Sequence, residues 1–227
     1  MSGFSRQLGA CRAGRWNGRF ALEVSEHTPA ALVALGMRDL PMNMTARHAL
    51  DAMRPGLSST GSHGLGEELV ASIPSLLERP CAVWASEAAG GRVTALLEAA
   101  DGARRPVVCV IQPGGSAIGR GGAHASNFIL SAYGNRSAIT GRLPSAARTG
   151  RLLMADPAAV CRLALRCGME LPREVADALG RRAAARVPEP PSPAARAIAA
   201  GDALAQAAAV AAELSTGSSY IQRSWSR

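Results

Sequence analysis

Apolar residues recur at helical spacing in the first third of the chain and at strand spacing after it. Phe20–Val24 reads as a short strand. Thr28-Pro29 then opens a helix, with Thr as N-cap and Pro at the first helical position. Ala31, Leu32 and Leu35 form its apolar stripe and Gly36 ends it. A second helix is expected from Thr45 to Met53, with Leu50 and Met53 on one side and Pro55-Gly56 as its stop. Ser58–Ser62 is a loop. Gly66–Ile73 is amphipathic through Leu69, Val70 and Ile73, and Pro74–Pro80 is a short turn closed by proline.

From Cys81 the period changes. Cys81–Ala85, Arg92–Ala99 and Arg105–Ile111 are short apolar runs separated by Gly90-Gly91 and by Asp101-Gly102, a hairpin dipeptide. They predict a three-stranded meander whose last, β-branched run is central. Pro113–Gly122 reads as a mobile Gly-rich loop, and Asn127–Tyr133 fits either a helical turn or a strand. Leu152–Met154 is a further strand. Asp156-Pro157 starts a helix that runs to Cys167, stopped by Gly168. The fold class that follows is α+β over residues 20–172, with helices packed on a small antiparallel sheet. Residues 1–19 are expected to be a flexible basic leader. Residues 173–227 are expected to hold a Pro-rich linker, an Ala-rich segment with helical propensity and a disordered end.

Composition narrows the function classes. The chain has 227 residues, 48 % of them hydrophobic and 19 % charged, so it can build one sizeable core. Aromatics are only 4 %, which argues against rows of base-stacking platforms. No apolar run is long enough for a membrane span, and the Arg-bearing N-terminus lacks the apolar stretch of a secretory signal. The five cysteines lie at 11, 81, 109, 161 and 167, without paired ligand spacing, so neither a disulfide framework nor a metal site is expected. Cys81 and Cys109 read as small buried hydrophobes, and Cys161 and Cys167 fall on different faces of one helix.

Charge adds a direction. The net charge is +8, and every basic residue is Arg. Between Gly102 and Ala155 there are seven arginines (104, 105, 120, 136, 142, 148, 151) and no Asp or Glu. Gathered on one face, they make an electropositive surface for a polyanion. Gly114–Gly122 is not a phosphate loop, because it lacks the Gly-Lys-Ser/Thr ending and a helix behind it. Ser86-Glu87 is too short a signal to carry an ADP-ribosyltransferase reading.

Several segments in order resemble the C-terminal domain of phage MuF proteins. They are Thr28-Pro29, Leu35-Gly36, Leu40-Pro41, His63-Gly64-Leu65, Leu69, Ile73-Pro74, Ser75–Pro80, Ser86, Pro106-Val107-Val108, and Asn127 before Ser131-Ala132-Tyr133-Gly134. Ser58–Ser62 looks like an insertion, and Arg or Ala stands at the family's lysine positions. The resemblance implies phage or prophage origin and kinship with small toxin-type ribonucleases such as barnase, in which helices precede a twisted antiparallel sheet. A stand-alone copy acting as a metal-independent ribonuclease-type toxin or effector is the leading expectation. A non-catalytic module that holds nucleic acid, or a virion protein, on an arginine face is the alternative.

Cleavage of RNA through a cyclic phosphate needs a base, an acid and a cation on the phosphate, and no cofactor. His63 matches the family position and is the candidate base. Tyr133 and Ser131 share one side if Asn127–Tyr133 is a strand, and complete the catalytic candidates. Arg120, Arg136, Arg142, Asn127 and His124 are the phosphate-binding candidates. His48 reads as a surface residue and His27 as a cap neighbour. The expected partners are RNA rather than DNA, or a phage structural protein. The expected location is the bacterial cytoplasm or the virion, away from membrane.

Overall fold

The computed structural model describes residues 3–54, 64–87, 91–119 and 122–171. His63, Arg120 and the whole segment from 172 onward lie outside the described residues.

The chain order is α1 (Gly3–Arg12), β1 (Leu22–Ser25), α2 (Ala30–Val33), β2 (Met42–Met44), α3 (Ala46–Met53), α4 (Glu67–Leu77), β3 (Ala82–Ala85), β4 (Val93–Ala100), β5 (Pro106–Gly119) and β6 (Gly122–Gly134). A π-helical turn (Ala138–Arg142), α5 (Leu143–Arg148), β7 (Leu152–Ala155) and α6 (Pro157–Arg166) follow. The class is α+β. The sheet has seven strands in the order β1-β2-β6-β5-β4-β3-β7. All neighbours are antiparallel except β2 and β6, which run parallel, so the sheet is mixed rather than antiparallel throughout.

Both faces carry helices, so the helices packed on the sheet are not confined to the N-terminal part of the chain. On the first face α1, α3 and α4 cover Val24, Met42, Met44, Ala95, Leu97, Val107, Cys109, Ile111, Ile129 and Ala132. On the second face the π-turn, α5 and α6 cover Trp84, Leu96, Val108 and Leu152. Among the described residues, that second cover stops part-way across the sheet.

Local chemistry explains much of this. Thr45 caps α3 by accepting from the His48 N–H at 3.2 Å, and Asp156 caps α6 by accepting from the Ala159 N–H at 3.1 Å. Thr28 does not cap α2. The N-cap is Pro29, the helix is four residues long, and the Thr28 hydroxyl is drawn into the core. Pro74 lies inside a continuous α4 instead of starting a separate turn. The leader is structured from residue 3, because Phe4, Leu8 and Cys11 give α1 a buried stripe. Gln7 on α1 also closes the free edge of β1. Its amide accepts from the Glu23 N–H at 2.9 Å and donates to the Glu23 carbonyl at 3.4 Å, where a strand would otherwise add.

The largest departure is Pro113–Gly122. In place of a loop, β5 and β6 extend as a long hairpin arm, with Ser116↔Ala125 and Gly119↔Gly122 in register. A register shift between Gln112 and Gly115 accommodates Pro113, and Gly114 takes a φ of 66° that suits glycine. Asn127–Tyr133 is strand, in the middle of β6.

Candidate functional site

Strand β6 carries four of the eight candidate residues, and its two ends treat them differently. At the start of the strand, Ser126 and Asn127 are fully buried and Asn43 is 2 % exposed. The Asn127 amide donates to Thr28 Oγ1 at 2.8 Å and to the Arg38 carbonyl at 2.9 Å. Its Oδ1 accepts from the Gly114 N–H at 2.9 Å. Thr28 in turn donates its hydroxyl proton to the Leu40 carbonyl, and its N–H to Asp39 Oδ1. Asn127 therefore ties β6, the bulge of β5 and the segment before β2 together. Both amide hydrogens are used and the side chain is fully buried, so it is not presented at the surface.

His124 joins the rim of this network. The Ser126 hydroxyl donates to the Pro41 carbonyl at 2.9 Å, so it must accept from Asn43 Nδ2 at 2.6 Å. That fixes the Asn43 amide nitrogen toward His124 Nε2, 3.3 Å away, which then acts as the acceptor nitrogen. The ring lies over Gly119, where a Cβ would stand 3.1 Å from its Cε1.

At the other end of β6, Tyr133 packs its ring on the second core while its hydroxyl reaches the rim. Arg142 Nη1 donates to Tyr133 Oη at 3.0 Å, bringing two candidates into contact. Arg136 is exposed in the turn just before the π-helical segment that ends at Arg142. The adjacent β4–β5 turn is held by Asp101, whose carboxylate accepts from the Ala103 and Arg105 N–H groups and from Arg105 Nε at 2.6 Å. This turn presents Arg104, exposed and at a φ of 55°. The Asn135 N–H donates to the Pro106 carbonyl at 2.7 Å and fixes the end of β6 beside it.

Ser131 lies opposite Val110 and Tyr133 opposite Val108, so the two share the second face. Tyr133 and His124 stand nine residues apart on β6, about 30 Å at the rise of a strand. They do not share a cleft. Gly64, the residue after His63, donates its N–H to the Arg54 carbonyl at the end of α3, within the first-face helical layer.

Sequence reasoning missed Arg92, Gln112, Phe128 and Asn43. Register puts them in one row on the second face: Gln112 and Asn43 both oppose Phe128, and Arg92 Nε donates to Gln112 Oε1 at 3.0 Å. No motif marks them, because they come from four separate segments.

Elsewhere the electrostatics are structural. Burial pushes the Cys109 thiol up to about 12, and burial with Glu98 and Asp156 nearby pushes Cys81 up to about 12. Arg162 donates twice to the Glu98 carboxylate, at 2.8 and 2.9 Å, and this hydrogen bonding lowers its pKa from the ordinary value. Glu87 pairs with Arg151 at 2.5 Å, on the rim of β3 and β7. A cleft of about 890 Å³ opens between α1, α4 and the β4–β5 turn. Glu67 and Glu68 line it and Arg12 is paired with Glu67 at 2.9 Å, so it does not suit phosphate. Among the described residues no cluster of His, Cys, Asp or Glu could hold a metal ion, and no helix is long and apolar enough to cross a membrane.

The β3–β4–β5–β6 meander, with the helix before it and the elements after it, is also where the comparison with known families falls. Residues 58–161 match the phage MuF-C-terminal domain. The chain is thus phage-related. The MuF-C stretch includes every strand from β3 to β7 and leaves out α1, β1, α2, β2 and α3. Those preceding elements nonetheless complete its sheet and its first core. No curated protein and no solved structure matches the chain.

Proposed function

We propose that this phage-derived protein binds RNA by its phosphate backbone, through the rim formed by Tyr133, Arg136 and Arg142 with Arg104 beside it. The observation that carries this reading is the Arg142–Tyr133 contact at 3.0 Å, at the exposed end of β6 in a stretch that lacks acids. A guanidinium fork braced by a phenol is a preorganised phosphate contact, and neighbouring arginines add counterion release. Polyanion affinity should fall steeply with salt. Salt-insensitive binding, or tight binding to a phage structural protein with none to RNA, overturns the reading.

The finer, catalytic version is a metal-independent ribonuclease-type toxin. It takes His63 as base, with Tyr133 donating to the phosphoryl oxygens and Arg142 stabilising the charge that develops there. Ser131 on the same sheet face is its remaining catalytic candidate. What supports this version is the order of helices followed by a meander, together with the Tyr133–Arg142 pair. Purified protein should then cleave RNA in the presence of a chelator, and His63→Ala should abolish cleavage without changing the circular dichroism. Cleavage that survives the substitution removes His63. Binding without cleavage leaves the non-catalytic reading.

A further inference from the structure

We infer that the part of the second sheet face left uncovered by α5 and α6 seats an unpaired stretch of RNA, with Phe128 as the surface on which one base stacks and Arg92 as an additional phosphate contact. This rests on the RNA-binding reading and extends it to strandedness and to a second contact zone.

Among the described residues, the second-face cover is confined to β3, β7, β4 and the Val108–Tyr133 end of β5 and β6. Past it, Val110, Ser131, Gln112, Phe128 and Arg92 are all half-buried, without a described helix over them. Their row carries no carboxylate. Arg92 is oriented by one bond, Nε to Gln112 Oε1, which directs a planar fork with its two Nη nitrogens still able to donate. A polyanion is the complement of such a face, and it continues along β6 to the Tyr133–Arg142 rim about 15 Å away.

Phe128 supplies the reason for an unpaired strand. Its Cδ2 and Cε2 lie 2.8 and 3.0 Å from where a Cβ at residue 115 would be. Glycine at 115 lets the ring lie down on β5 instead of standing off it. A ring held this way loses little freedom when a base stacks on it, and a duplex keeps its bases inside, out of reach. Few aromatics are needed, since one platform between two arginine contacts suffices.

The test compares a labelled single-stranded RNA with its duplex, binding each to the full chain by fluorescence anisotropy across a salt series. The single strand should bind more tightly. Phe128→Leu keeps apolar bulk but removes the ring. It should weaken single-strand binding about tenfold, leave duplex binding unchanged, and be rescued by Phe128→Trp. Arg92→Gln should lower the salt slope for the single strand by about one. Equal binding of both forms with no effect of Phe128→Leu sinks this inference alone. A virion protein blocked by Phe128→Leu in place of RNA also sinks it. Absence of any RNA binding sinks the proposed function as well.

Discussion

The two ends of β6 carry the same kinds of side chain to opposite effect. At the beginning, Ser126 and Asn127 are buried and every polar atom is turned to the chain itself. At the end, Tyr133 and Arg142 meet at the rim, with Arg136 exposed between them. Neighbouring elements make the difference. The start of β6 runs beside β2, parallel, with the Thr28–Leu40 segment folded over it. The end of β6 pairs with β5 on one side and lies beside the β4–β5 turn before the chain leaves the sheet. A buried polar group with all its partners specifies structure, whereas one at a rim is available to a ligand.

The comparison breaks most visibly if Asn127 is dispensable. Asn127→Ala strips the Gly114 N–H, the Thr28 hydroxyl and the Arg38 carbonyl of a partner at once. It should cost roughly 2–4 kcal/mol in denaturant unfolding, seen as a lower midpoint at unchanged slope. A loss under about 0.5 kcal/mol would mean that water enters and the network is not sealed.

Gly134 tests whether the rim has a firm base. A Cβ there would overlap the Asp101 carboxylate, which is pinned by three donors and only 6 % exposed. Gly134→Ala should therefore destabilise by about 1–3 kcal/mol, as overpacking does. It should also weaken RNA binding by displacing Arg104. Unchanged thermal unfolding would show that the turn swings aside freely.

Arg142→Ala and Arg136→Ala probe the rim itself. Each should leave stability within about 0.5 kcal/mol, lower RNA affinity several-fold and reduce the salt slope by about one. A stability loss as large as that at Asn127 would erase the distinction between the two ends.

What could be read from sequence follows from where the information is local. The meander from Ala82 to Ile111 was legible because apolar runs alternate with Gly-Gly and Asp-Gly turns. The caps at Thr45 and Asp156 are also set within one helical turn. β2 was not legible: it is three residues, Met42-Asn43-Met44, and exists through its parallel pairing with a strand more than eighty residues on. The hairpin arm was missed for the opposite reason, because Pro113 and five glycines between 114 and 122 signal a loop and cross-strand pairing overrides them. Among candidate residues, Tyr133 and Arg142 meet because nine residues of turn bring them round. Asn127 reads from sequence as a phosphate-binding candidate, and its place in the fold depends on Thr28 and Arg38, both far away in sequence.

The smallest effect belongs to a charge pair on the covered part of the second face. Arg162 holds Glu98 with two bonds, and this hydrogen bonding depresses the carboxyl below its ordinary range. A depressed folded-state pKa stabilises the protein above the unfolded carboxyl's pKa, and that stabilisation is lost as pH falls through the folded one. Glu98→Gln should thus lower the thermal midpoint slightly at neutral pH, and the two proteins should converge in acid. The Arg162 guanidinium is more than half exposed, so added salt should shrink the difference further. A gap that persists in acid would point to packing by the Glu98 stem, not to charge. A large, salt-resistant gap at neutral pH would place this pair with the sealed polar groups at the start of β6, and rim exposure would no longer separate the charges available to a ligand from those that hold the fold.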